Sequence, residues 1–129
     1  MIEVYIDGAS AGNPGPSGAG IYINYKDGNE DRYAIPLGEL TNHEAEYMAL
    51  IKALELCKEK GLTTVSFRTD SQLIDQAVEK RYVKKEQYQQ LLDEALTYID
   101  QFDLFFLKWI PSNQNKNADE LSRQAVRKN

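Results

Sequence analysis

Four carboxylates in this chain, Asp7, Glu46, Asp70 and Asp119, stand where backbone structure alone accounts for them poorly. Asp7 closes an alternating apolar run, where aspartate is disfavoured, and Gly8 follows it directly. Asp70 lies where a strand pattern gives way to a helix pattern, the place where open α/β sheets put ligand groups. Glu46 falls on the apolar stripe of Ala49, Leu50, Ala53 and Cys57. Asp119, beside Glu120, sits in the first turn of the last helix pattern. Singly, each has an ordinary reading: turn chemistry for Asp7, an N-cap for Asp70, a favourable macrodipole for Glu46 and Asp119. Together they are three acids at element ends that one sheet edge can gather, plus a fourth from a core-facing stripe. Two like charges about 4 Å apart cost roughly 4 kcal/mol at an effective dielectric of 20, so such a cluster persists only when cations or protons neutralise it. Oxygen ligands without histidine or thiolate suit hard ions, Mg²⁺ or Mn²⁺. Two such ions about 3.5 to 4 Å apart would activate water and stabilise the leaving oxygen in phosphodiester hydrolysis.

Other chemistries lack their parts. The segment Gly8 to Gly20 is rich in glycine, but it has no Gly-Lys-Ser/Thr ending and leads into a strand, so it is neither a P-loop nor a dinucleotide fingerprint. A nucleophilic triad needs a histidine base, and the one histidine, His43, lies inside a capping box. Cys57 falls in the body of a helix pattern beside Ala53 and Leu54 and reads as packing.

The elements that must position the acids follow from periodicity. Ile2 to Asp7 reads as a strand ending at the acid, Gly8 to Gly20 as a turn-forming loop, Ile21 to Tyr25 and Asp31 to Leu37 as two further strands joined by an Asp-Gly turn. Thr41-Asn42-His43-Glu44 has the form of a capping box and opens a helix to about Lys60, closed by Gly61. Thr63 to Thr69 is a fourth strand and Ser71 to about Glu79 a helix. After the charged Lys80 to Lys85 come a helix from Glu86 to Asp100, a strand from Leu104 to Ile110, and a final helix from Ala118 to Arg127. This order implies an α/β fold, a mixed five-stranded sheet with helices on both faces.

A length of 129 residues suits a single domain over 1–129, with 42% hydrophobic and 27% charged residues. A lone cysteine rules out an internal disulfide and fits a cytoplasmic protein. No stretch approaches the roughly 18 apolar residues of a membrane span, so no membrane role is expected. A net charge of -5 argues against gripping a polyanion through overall charge, so nucleic-acid binding would rest on local features and on metal.

The residues resemble the type 1 ribonuclease H family over nearly the whole chain. The match runs in order through Asp7-Gly8-Ala9-Ser10 with Gly12-Asn13-Pro14-Gly15, Thr41-Asn42-His43-Glu44-Ala45-Glu46, Thr69-Asp70-Ser71-Gln72, and Asn115-Lys116-Asn117-Ala118-Asp119-Glu120-Leu121. The resemblance implies the ribonuclease H fold and metal-dependent cleavage of the RNA strand of an RNA/DNA hybrid, leaving 5′-phosphate and 3′-hydroxyl ends, by a monomer. It implies that Asp7, Glu46, Asp70 and Asp119 are the metal-binding catalytic acids, with Asp7 shared between ions. Ser10, Asn13, Asn42 and Gln72 match residues that contact the hybrid, a sensible role for amides, which both donate and accept to the 2′-hydroxyl exposed in the minor groove.

Two departures qualify the match. Many family members carry a histidine in the loop before the last acid, and some shorter relatives an arginine, whereas Trp109-Ile110-Pro111-Ser112-Asn113-Gln114 has neither. Of the basic, tryptophan-bearing protrusion only Lys80, Arg81, Lys84 and Lys85 remain. These departures lead to an expectation of weak, strongly salt-dependent hybrid binding. They also raise two other readings: a feeble relative that binds hybrid or a partner, and another nuclease of the same fold.

Overall fold

A computed structural model describes every residue from Met1 to Asn129. Its elements in chain order are β1 (Ile2–Ser10), β2 (Gly15–Asn24), β3 (Glu30–Leu40), α1 (Asn42–Glu59), β4 (Thr64–Thr69), α2 (Gln72–Lys80), α3 (Glu86–Ile99), β5 (Leu104–Trp109), a 3₁₀ turn (Ser112–Gln114) and α4 (Lys116–Arg127). The five strands form one sheet in the order β3-β2-β1-β4-β5. The first three pair antiparallel as a meander, while β1, β4 and β5 run parallel, so the sheet is mixed as expected.

Successive strand residues point to opposite faces. Val4, Ile6, Ile21, Ile23, Val65 and Phe67 point to one face and share a core with Tyr47, Leu50, Ile51 and Leu54 of α1, and with Leu92, Ala95 and Ile99 of α3. Helix α4 covers the other face over β1, β2 and β3. The capping box is present in full. The Thr41 N–H donates to Glu44 Oε1 at 2.9 Å, and the Glu44 N–H donates to Thr41 Oγ1 at 3.2 Å. Cys57 is fully buried, which pushes its thiol up to about 12, so it packs and does not react.

The glycine-rich segment corrects the expectation of a long loop. β1 runs on past Asp7 to Ser10 and β2 starts at Gly15, so only Ala11 to Pro14 connects them. Two of the glycines in these strands mark close approach, not a turn. A Cβ on Gly8 would overlap the Ala45 carbonyl of α1, and one on Gly20 would overlap the Ala118 carbonyl of α4. The strands accept glycine because helix backbones lie directly on them from both sides.

Candidate active site

The parallel arrangement puts the carboxyl ends of β1, β3, β4 and β5 at one edge, where α1, α2 and α4 begin. All four sequence-predicted acids lie there. Asp7 is inside β1, paired with Gly20, and its side chain faces α4. Glu46 is in the second turn of α1. Asp70 sits between β4 and α2, and the cap of α2 is its neighbour: Ser71 Oγ accepts the Ile74 N–H at 3.2 Å. The ordinary reading of Asp70 as an N-cap therefore fails, and its carboxylate is left for other work. Trp109 fixes the backbone there, donating from Nε1 to the Asp70 carbonyl at 3.2 Å. Asp119, in the first turn of α4, is ion-paired with Arg123 one turn along.

The electrostatics of this edge are unbalanced. Burial pushes the Asp7 carboxyl up to about 7; the Ser122 hydroxyl pulls it back, and the charges of Asp70, Asp119 and Glu46 push it further up. Burial also raises Glu46, opposed by Ser71 and His43 and reinforced by Asp70. Glu46 Oε2 is buried without a hydrogen-bond partner. Asp7 and Glu46 line a crevice of about 10 Å³ with Gly8, Thr69 and Ser71, room for about one water or ion. No three acidic, histidine or cysteine side chains converge closely enough to form a finished ligand cage. The acids are gathered at one edge and interact, but Asp119 turns to Arg123 and Asp7 to Ser122.

The expected substrate residues lie at the end of β1, in the β1–β2 connection and at the starts of α1 and α2, on the same edge of the sheet. Asn13 Oδ1 accepts the Asn42 N–H at 3.1 Å, tying the β1–β2 connection to the start of α1, and both residues are exposed. Gln72 is exposed at the start of α2. The Ser10 hydroxyl instead turns back on the main chain, with the Gly12 carbonyl and, at 2.9 Å, the Leu40 carbonyl as its acceptors. Arg81 is engaged too, in a forked pair with Asp100 at 2.8 and 3.1 Å, leaving Lys80, Lys84 and Lys85 as the cations there. These line a groove of about 410 Å³ with His43, Tyr82 and Tyr88.

Two residues that sequence reasoning missed hold the edge together. Asn115, fully buried, donates from Nδ2 to the Ile6 carbonyl at 2.9 Å, anchoring the start of α4 beside Asp7. Ser122 donates to Asp7 Oδ2 at 2.6 Å. A signal existed for Ser122: it is a polar residue on the buried stripe of Ala118, Leu121 and Ala125, the same anomaly that singled out Glu46.

A mixed sheet in this strand order with acids on its carboxyl edge defines a ribonuclease H-like nuclease fold. Residues 5–125 match the family model described as "Reverse transcriptase-like". The chain is 42% identical to the Enterococcus faecalis protein named "Putative hydrolase EbsB", over 99% of this chain and 96% of that one. RNase H1 from the halophilic archaeon Halobacterium salinarum superposes with a TM-score of 0.92 at 31% identity, covering 99% of this chain and 98% of the other. LC11-RNase H1, solved in complex with an RNA/DNA hybrid, gives 0.90 at 33% identity over 99% and 98%. The chain belongs to the type 1 ribonuclease H family, a family of nucleic-acid hydrolases.

Proposed function

We propose that this protein is a Mg²⁺- or Mn²⁺-dependent endoribonuclease that hydrolyses the RNA strand of RNA/DNA hybrids to 5′-phosphate and 3′-hydroxyl ends. The observation that carries the reading is the uncompensated acid edge: Asp7 is pushed up to about 7, and Glu46 Oε2 is buried and unpartnered. Carboxylates held this way are a poor structural choice and a good fit for divalent ions. Bound ions would supply Lewis acidity and a water of lowered pKa.

The chain's own residues do the rest. Asp7, as the acid whose charge state senses the other three, is placed to share ions, with Glu46, Asp70 and Asp119 as further ligands. Asn13, Asn42 and Gln72 offer amides beside the acids to read the 2′-hydroxyl in the minor groove. The relative solved with a hybrid supports that substrate. Lys80, Lys84 and Lys85 give the groove beside α1 positive charge, and Tyr82 and Tyr88 give it aromatic faces for the second strand.

Incubating labelled RNA/DNA hybrid with Mg²⁺, Mn²⁺ or chelator tests the reading. Cleavage with either metal and none with chelator is expected, and equal cutting of DNA/DNA duplex would overturn the hybrid assignment. A second reading, a hybrid-binding relative with feeble turnover, is favoured by the 3₁₀ turn Ser112–Gln114, which carries no histidine or arginine. Tight hybrid binding without cleavage under both metals would select it.

A further inference from the structure

Ser122 is fully buried on the face of α4 that packs against the sheet, among Ala118, Leu121 and Ala125. A hydroxyl in such surroundings is costly unless hydrogen-bonded. Two acceptors are within reach: the Asp119 carbonyl in its own helix at 2.8 Å and Asp7 Oδ2 at 2.6 Å. The intrahelical acceptor would satisfy the hydroxyl by itself, as serine commonly does in helices. A hydroxyl has one proton, and the closer acceptor, the Asp7 carboxyl oxygen, takes it.

We infer that Ser122 is a positioning residue that pins one oxygen of Asp7, so that the other oxygen is presented in a fixed direction to a divalent ion. The placement couples two acids. Ser122 is three residues beyond Asp119, so the turn of α4 that presents Asp119 also holds Asp7. The backbone of that turn is seated directly on β2, where a Cβ at Gly20 would lie 2.5 Å from the Ser122 nitrogen, so no side chain separates α4 from the strand there. Hydrogen-bond partners behind metal ligands commonly change metal affinity or activity by about 10- to 100-fold. The inference rests on the proposed metal-binding role of Asp7.

Isothermal titration of Mg²⁺ and of Mn²⁺ into the protein without substrate tests it, comparing wild type, S122A and S122C with a control, S17A. Ser17 is equally buried, but its hydroxyl donates to the Gly15 carbonyl at 2.8 Å, away from the acids. Expected results are about 10-fold weaker metal binding in S122A, an intermediate loss in S122C through its weaker donor, and no change in S17A. Hybrid cleavage by S122A should recover at raised Mg²⁺, marking a change in metal half-saturation and not in kcat. Metal binding by S122A within twofold of wild type would overturn the inference, as would an equal loss in S17A. Should S122A not fold, the same criterion applies to S122C. Absence of metal binding in wild type would instead overturn the metal-dependent reading of the site.

Discussion

Glu3 and Asp7 occupy the same face of the same strand, four residues apart, yet their surroundings drive them in opposite directions. Glu3 accepts from the Tyr5 hydroxyl at 2.9 Å and is flanked by Arg68 at 3.3 Å and Lys26 at 3.6 Å. Burial opposes ionisation there, but these partners outweigh it and hold the carboxyl below its ordinary range. Asp7 has one hydroxyl partner and three acidic neighbours, and burial dominates, leaving it high. Asp31 follows Glu3, lowered by the Tyr25 hydroxyl and by Lys60. The chain thus neutralises Glu3 and Asp31 from its own residues, while at the carboxyl edge of the sheet it supplies a cation to Asp119 alone, leaving Asp7 and Glu46 without one.

The strongest way to break this contrast is to remove the site acids. Asp7→Asn and Asp70→Asn should each lower hybrid cleavage by about 10³-fold or more, since metal ligation supplies several kcal/mol of transition-state stabilisation. Circular dichroism should show both folded, and cleavage surviving in both would dissolve the distinction between the two ends of β1.

The second test is the pH dependence of stability without metal. Asp7 ionises near 3.8 in the unfolded chain and at about 7 in the folded one. Between those values the folded state holds a proton that the unfolded state has released, so stability should fall as pH rises from about 4 to 7. The loss from this group is at most about 4 kcal/mol, from about 1.4 kcal/mol per pH unit. Denaturant titrations in chelator should show this fall in wild type and a flatter profile in Asp7→Asn, which should be the more stable protein at neutral pH. A stability that rises over that window in wild type and Asp7→Asn alike would remove Asp7 as a strained group.

A third comparison concerns the cations of the groove. Lys84→Ala and Lys85→Ala should each weaken hybrid binding and reduce its salt slope by roughly one, read from affinities at several salt concentrations. Arg81→Ala should change the slope less, because its guanidinium is already paired with Asp100.

The smallest effect belongs to the balanced end. Glu3→Gln should cost about 1 kcal/mol or less at neutral pH, as expected for a partly exposed ion pair, and leave cleavage intact. The carboxyl of Glu3 is lowered on folding, so its contribution is present above about 4.5 and lost as pH falls through the folded value, the reverse of Asp7. A cleavage defect in Glu3→Gln would show that the two ends are not separate.

What the sequence made legible was what neighbours in the chain decide. The capping box of α1 rests on residues three apart, and the Asp-Gly turn on four consecutive ones, so both could be read directly. The site acids were legible because each breaks a local pattern, and the ordered motifs joined them. The strand nature of Gly8 and of Gly15 to Gly20 was not, since composition marks glycine as a turn former. The reason those strands carry glycine lies in helix backbones: Gly20 answers to the Ala118 carbonyl, and Gly18 to the Val126 nitrogen and the Ser122 carbonyl. Ser122 and Asn115 stayed hidden for the same cause, their partners being 115 and 109 residues away.

The bare seats at Gly8 and Gly20 also act as a gauge. A helix propped on leucine or methionine can drift as those side chains change rotamer, whereas one resting backbone to backbone has no compliant layer beneath it. Glu46 on α1, seated on β1, and Asp119 on α4, seated on β2, are therefore held on opposite faces of the sheet with little mechanical play, so the width of the acid edge is set by main-chain thickness. One added methyl group at either seat would act as a shim, opening that gap and shifting an acid without changing its chemical identity.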